Sequence, residues 1–316
     1  MNMTTAELAE LARRNRGFKE AGAALVISSA ILFVFLFIPL SKEHAKSVAS
    51  TATTTPETPF ITAPIEAEAA IVYDLVTGKV LFEKNASAQL PLASLTKLLT
   101  VYAALATLPP DTPIAVSAEA AGAEAPHAFS HGTTFTLADI ARLTLTASLN
   151  DGAAAIAQAA AQKERLSTMQ MLAAAASSLD LKETYALNGS GLDLSEAVSG
   201  GYGSARDIAR LAGALVAAAP DVAFATTEAS VEARSVSGKV YRVENTDPFT
   251  AEIPRLLLSK TGYTDLANGN LALVFDAGLA HPIAVVVLGS SKEARFSDGL
   301  ALISATLAHF AGVPSL

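Results

Sequence analysis

The feature that most limits what this chain can become is a change of hydrophobic period between residue 65 and its C-terminus. Strand-like alternation comes first, at Ile71–Tyr73 and Lys79–Glu83, and Asp74–Gly78 supplies a hairpin turn with a glycine available for positive φ. The period then becomes helical. SLTKLLTVYAALATL opens at Ser94 and repeats Leu95, Leu98, Leu99, Tyr102 and Leu105 at helical spacing, until Pro109 and Pro110 stop it. More helices are expected over Thr136–Leu149, with Thr136 as cap and Asp139 three residues on, over Gly152–Gln162, over Leu166–Leu179, and from a Ser204 cap to Ala219 before Pro220. Alternation returns at 239–244, 256–262, 271–277 and 283–289, and a last helix covers Ala294–Phe310. Strands at both ends of a domain usually share a sheet. The expected fold is therefore α/β of the α+β kind: a five-stranded antiparallel sheet flanked by helices, with a helical region inserted in the middle.

Upstream, the pattern is different. Residues 1–20 form a short basic head containing Arg13, Arg14, Arg16 and Lys19. Residues 21–40, AGAALVISSAILFVFLFIPL, carry no charge and would span roughly 30 Å as a helix, the thickness of a bilayer core. The run is longer than a cleaved signal peptide needs, so it reads as a retained transmembrane signal anchor. Basic residues are denser before it than after, which places residues 1–20 in the cytoplasm and the rest on the extracytoplasmic side of a single-pass cell-membrane protein. Residues 41–64 are rich in Ser, Thr, Ala and Pro and read as a flexible tether, and residues 65–316 read as the folded domain.

Composition removes several classes of function. The net charge is −8, and no Lys/Arg stripe lies outside the N-terminus, which argues against nucleic acid as a partner. With no cysteine, disulfides and thiolate metal sites are excluded. Of the five histidines only His127 and His131 lie close together, without a third ligand at helical or turn spacing, so neither a metal nor a cofactor is expected.

Three short motifs carry chemistry. Ser94-Leu95-Thr96-Lys97 puts a hydroxyl and an amine on one helix face, where they can touch. The amine takes the serine proton only when neutral, a state favoured by burial and by nearby positive charge. Ser148-Leu149-Asn150 falls at a break between two helices, so both polar side chains can face a cleft, the hydroxyl relaying a proton and the amide binding a carbonyl. Lys260-Thr261-Gly262 ends an apolar strand. Its lysine and threonine offer a charge and a hydroxyl to a carboxylate, and its glycine leaves room for a substrate backbone. Each motif has a plain structural reading: a helix cap at Ser94, a loop cap at Asn150, a strand end at Lys260.

In this order and on these elements the three resemble the SxxK, SxN and KTG set of penicillin-binding proteins and serine β-lactamases. The fuller resemblance, over about residues 65–311, is to the low-molecular-mass D-alanyl-D-alanine carboxypeptidases. PLASLTKLLT is similar to that family's nucleophile segment, residues 132–157 to its stretch around SxN, YALNGSGLD and SARDIARL to two further segments, and Asn245-Thr246 to the residues that precede KTG. The resemblance implies a β-lactamase/transpeptidase-like domain and an acyl-enzyme on Ser94, with Lys97 as base and Ser148 passing a proton to the leaving group. It also implies an oxyanion between the N–H groups of Ser94 and Tyr263, with Asn150 on the acyl peptide and Lys260, Thr261 and Arg295 on the terminal carboxylate. The implied substrates are peptidoglycan stem peptides ending in D-Ala-D-Ala, with β-lactams as inhibitors.

The chain departs from the family pattern at Leu149, where a small residue is usual and where the cleft could be reshaped, and also at Gly152, Gly189 and Asp247. It is also expected to lack the C-terminal β-rich domain of many relatives. A D,D-endopeptidase would use the same residues. A β-lactamase would need a deacylating glutamate that Glu183 is spaced wrongly to supply, and a silent wall-binding protein would not need the full polar set.

Overall fold

The computed structural model describes residue 60 and residues 64–312. The chain opens with the expected hairpin, β1 (Ala69–Asp74) and β2 (Val80–Lys84). After the short β3 (Leu90–Pro91), a 3₁₀ turn (Ala93–Leu95) leads into α1 (Thr96–Thr107). The helical region follows: β4 (Pro113–Ala115), α2 (Ala118–Ala121), β5 (Thr134–Thr136), α3 (Leu137–Ala147), α4 (Asn150–Glu164) and α5 (Thr168–Ser178). Next come β6 (Tyr185–Ala186), β7 (Gly201–Gly203), α6 (Ala205–Ala218) and α7 (Pro220–Ala225). The chain finishes with β8 (Ser230–Arg234), β9 (Val240–Glu244), β10 (Leu256–Thr264), β11 (Asn268–Asp276), β12 (Pro282–Ser290) and α8 (Ala294–Phe310).

The two chain ends do share a sheet. Its order is β10-β11-β12-β1-β2, every neighbour pair is antiparallel, and Ile71 faces Val286 across the join. Both faces of the inner strands are covered. Ile71, Val274, Val286 and Leu288 point into a core shared with the helical region, while Val72, Leu273, Val285 and Val287 point to a second core under α8. This period-2 split is why these strands read as almost unbroken apolar runs. Each fully buried Val, Leu or Ile contributes about 1.5–3 kcal/mol to the pile. On the first face α1 is central and packs against α4 and α6.

Local signals account for several boundaries. Thr136 accepts from the Asp139 amide at 3.1 Å and starts α3, and Ser204 does the same for α6 through the Asp207 amide at 3.1 Å. Pro220, expected to end a helix, instead occupies the first position of α7, where its missing N–H costs nothing. The strand β8 went unread because it offers only Val231 and Ala233 to the core; its pairing with β9 defines it.

The expected transmembrane helix requires correction. Among the described residues no helix is long and apolar enough to cross a membrane. The longest, α8, has 17 residues and buries Arg295 and Asp298 against the sheet; at 1.5 Å per residue it reaches about 26 Å. Residues 21–40, on which the anchor was expected, lie outside the described residues, as do the basic head and nearly all of the tether. Among the described residues, then, nothing carries the expected single-pass, extracytoplasmic placement or a membrane as partner.

Candidate active site

The turn that carries Ser94 is set by crowding. Ala93 sits at φ +48°, left-handed space that a non-glycine residue rarely enters. It is enclosed by chain from three directions. Leu92 N donates to Gly201 O at 2.9 Å, Asn270 Nδ2 donates to Pro91 O at 3.0 Å, and a Cβ on Gly191 (φ +77°) would fall 1.9 Å from Ala93 O. Ser94 makes no cap bond to its helix, so the capping role does not apply. It remains partly exposed, while Lys97, one turn on, is fully buried. Lys97 Nζ donates to Ser94 Oγ at 2.8 Å and to Ser190 O at 2.8 Å. Burial pushes the Lys97 ammonium well below its usual range, the Lys260 charge pushes it further, and Asp151 opposes both.

The second motif lies between α3 and α4. Ser148 takes a left-handed conformation, φ +59°, which breaks the helix and turns its side chain out of register with both helices. Its Oγ accepts from Lys260 Nζ at 2.9 Å. Leu149 points the other way, 4% exposed in the main core, so it lines no cleft. Asn150 is buried too, and its amide donates to the Glu124 and Ala125 carbonyls, each at 3.0 Å.

The third motif lies on β10, the edge strand of the sheet. Ser259 N donates away from the sheet to Thr226 Oγ1 at 2.9 Å, so by strand alternation the N–H groups of Thr261 and Tyr263 also face the open edge. Lys260 Nζ bridges Ser148 and Thr261 O (2.8 Å), and Thr261 Oγ1 meets Thr246 Oγ1 at 2.6 Å. Burial, with the Arg295 charge added, lowers Lys260 to about 7, against the pull of Asp247. Asp247 is buried and accepts from Ser259 Oγ at 2.6 Å. Arg295 is 7% exposed and donates to Gly262 O at 2.8 Å. The space that Gly262 leaves is taken by the chain itself: a Cβ there would meet Leu92 O at 2.9 Å and Ala93 Cβ at 3.4 Å. That glycine seats the edge strand against the Ser94 turn. Tyr263 is 42% exposed, with Lys292 Nζ 4.9 Å above its ring.

Ser94, Lys97, Ser148, Lys260, Thr261, Gly262 and Arg295 thus form one connected cluster. Sequence reasoning missed Ser190, Asn270, Thr226 and the bracing role of Asp247. All four act across long sequence separations, where spacing carries no signal. The chemistry available is a hydroxyl beside an amine whose charged form is disfavoured, a second hydroxyl beside a lysine lowered to about 7, and backbone donors on an open strand edge.

The family model described as D-alanyl-D-alanine carboxypeptidase matches residues 52–292. A search of curated proteins finds no match. Among solved structures, a D-alanyl-D-alanine carboxypeptidase from Mycobacterium tuberculosis shares 24% identity at a TM-score of 0.67, over 80% of this chain and 96% of its own. Penicillin-binding protein D2 from Listeria monocytogenes, in a cefotaxime-bound form, shares 24% identity at a TM-score of 0.65, over 77% of this chain and 98% of its own. A mutant of a Streptomyces DD-transpeptidase shares 21% identity at 0.67, over 78% of this chain and 99% of its own. At these identities the structures establish a common fold.

Proposed function

The chain belongs to the D-alanyl-D-alanine carboxypeptidase family, at that level a serine-type hydrolase acting on peptidoglycan, and from that premise we propose that it removes the terminal D-alanine of stem peptides through an acyl-enzyme on Ser94. The observation that carries the proposal is the buried Lys97 amine 2.8 Å from Ser94 Oγ. A neutral amine has two hydrogens and one lone pair. One hydrogen satisfies Ser190 O, and the lone pair is free for the Ser94 proton.

In the first step Ser94 Oγ attacks the penultimate carbonyl and its proton passes to Lys97. The C–O bond forms, and the oxyanion rests between the N–H groups of Ser94 and Tyr263, of which the second is on the open strand edge. Collapse breaks the C–N bond. The leaving amine takes a proton from Ser148 Oγ, which is replenished from Lys260 Nζ at 2.9 Å. Lys260, Thr261 and Arg295 gather positive charge and a hydroxyl for the terminal carboxylate. Lys97 then returns the Ser94 proton to the depleted Ser148–Lys260 pair and is neutral again. Water attacks the ester carbonyl and gives a proton to Lys97; the bond from the acyl carbon to Ser94 Oγ breaks, Ser94 Oγ takes that proton from Lys97, and the shortened peptide leaves. A β-lactam would acylate Ser94 by the same first step.

Two measurements test this. Labelled penicillin should attach to the protein and fail to attach to Ser94→Ala; an unlabelled wild type would end the acyl-enzyme reading. Mass spectrometry of the products then settles the reaction. Loss of one D-alanine from a pentapeptide is expected, whereas cleavage of a cross-linked dimer without that loss would make the enzyme an endopeptidase.

A further inference from the structure

The buried amine of Lys97 has a second neighbour besides Ser94, and that neighbour is a backbone carbonyl, Ser190 O, at 2.8 Å. It belongs to residues 188–192, which lie outside any helix or strand. One side chain holds this turn. Asn188 Oδ1 accepts from Ser190 N at 3.1 Å, from Ser190 Oγ at 3.1 Å and from Gly191 N at 2.7 Å. Asn188 Nδ2 donates to Leu192 O at 2.9 Å. Backbone N–H groups only donate and carbonyls only accept, so these partners also set which end of the amide is oxygen.

The shortest of these bonds decides where the Ser190 carbonyl points. Ser190 C=O and Gly191 N–H are the two ends of one planar trans peptide unit and point in opposite directions. Holding the Gly191 N–H on Asn188 Oδ1 therefore turns Ser190 O to the other side, where Lys97 Nζ stands. The backbone itself does not impose this orientation. Ser190 lies between two glycines, Gly189 and Gly191, whose dihedral angles are the least restricted of any residue. Thr100 Oγ1, on α1, braces the Gly189 carbonyl at 2.7 Å, but that carbonyl belongs to the preceding peptide unit. A flipped 190–191 unit would present an N–H to the amine in place of an acceptor, and an N–H would bind the very lone pair that the serine proton needs.

We propose that Asn188 is a positioning residue: its carboxamide fixes the 190–191 peptide so that Ser190 O engages one Lys97 hydrogen and the lone pair is left facing Ser94 Oγ. It acts through Lys97 and touches none of the reacting atoms. This rests on the acyl-enzyme reading at Ser94 and deepens it. A carbonyl suits the task because it accepts and never donates; it occupies a hydrogen of the amine and cannot compete for the lone pair. Without Asn188, Lys97 is still held next to Ser94 by α1, but its amine turns about the Cε–Nζ bond with no fixed acceptor to stop it. The defect therefore falls on the chemical step and spares binding.

Acylation of the full chain by labelled penicillin, followed in time at several concentrations, tests the proposal, because it separates the first-order acylation constant from the half-saturating concentration. Asn188→Ala should lower the acylation constant by roughly 10- to 100-fold and leave the half-saturating concentration within about twofold. Asn188→Leu, which keeps the volume and removes the acceptor, serves if the alanine variant fails to fold. Asn188→Asp keeps an oxygen for the Gly191 N–H and should recover the acylation constant to within about fivefold of wild type, each protein being read at its own optimum pH. An acylation constant unchanged in the variants that lack the acceptor would overturn the proposal. So would a loss carried by the half-saturating concentration, or an aspartate variant as slow as the alanine or leucine one, since either would mean that Asn188 supports the fold without aiming the amine. Failure of wild type to take labelled penicillin is a separate result: it removes the acyl-enzyme on which the proposal rests, whereas a labelled wild type with an equally fast Asn188→Ala removes the positioning role alone.

Discussion

The Lys97–Ser94 and Lys260–Ser148 pairs have nearly the same length, 2.8 and 2.9 Å, but join residues 3 and 112 apart in sequence. The first is made by a single turn of chain. The second exists only because α3 stops at Ser148 and an edge strand from the far end of the domain passes beside it. Their charges differ as well. Burial lowers both; the Lys260 charge adds to it at Lys97, against Asp151, and that amine falls well below its usual range, while the Arg295 charge adds to it at Lys260, against Asp247, and that amine falls to about 7. The proposed mechanism gives the two similar groups different work, Lys97 as the base and Lys260 as the proton donor. The contrast shows that spacing alone creates a contact, whereas burial and distant charges decide what the contact does.

The sharpest way to break the comparison is to remove each lysine in turn. Lys97→Met should lower the acylation rate by about 10³-fold or more, since nothing else can take the serine proton, and Lys260→Met by about 10²-fold. Equal losses in a penicillin-acylation time course would mean that the two pairs do not divide the work as described.

The pH profile sharpens it further. Lys260 works charged, so kcat/KM should decline as pH rises through about 7. Replacing the carboxylate that favours its charged form, Asp247→Asn, should move that alkaline limb down by roughly one unit. A limb that stays in place would remove Asp247 from the account. Lys97 works neutral, so its own titration should set the acid limb.

A third test concerns the helix break at Ser148. A Cβ on Gly152 would lie 2.0 Å from Thr144 Oγ1 and 3.2 Å from Phe129. Gly152→Ala should cost about 1–3 kcal/mol in denaturant unfolding, and Thr144→Ala in the same chain should return most of it. The departure from the family pattern at this position thus has a steric cause.

The smallest effect is a control outside both pairs. Asp74 is 4% exposed, and burial alone would raise its pKa. Donors from Thr77, Val76 and His281 outweigh that and lower it to about 2. Its stabilisation is present above the ordinary carboxylate value and lost as pH falls from about 4 toward 2. Asp74→Asn should cost about 1–2 kcal/mol at neutral pH, with the gap to wild type closing over that window. Neither limb of the pH profile should move.

How much was legible follows from the range over which each feature acts. The period change along the chain determined the sheet from both ends and the helical insertion, because alternation and 3.6-residue spacing are properties of a few neighbouring residues. The Ser94–Lys97 contact was determined in the same way. Short strands such as β3, β6 and β7 were illegible because two or three residues cannot display a period. The site divided along the same line. Spacing placed Ser148, Asn150 and Lys260 on the right elements, but not facing the right partners. Only the tertiary structure sent Leu149 into the core, gave the Gly262 gap to the Ser94 turn and brought the Asn150 amide nitrogen to the Glu124 and Ala125 carbonyls. Those outcomes depend on segments roughly 25 to 170 residues away, whose approach is set by packing of the whole domain and leaves no mark in the local sequence.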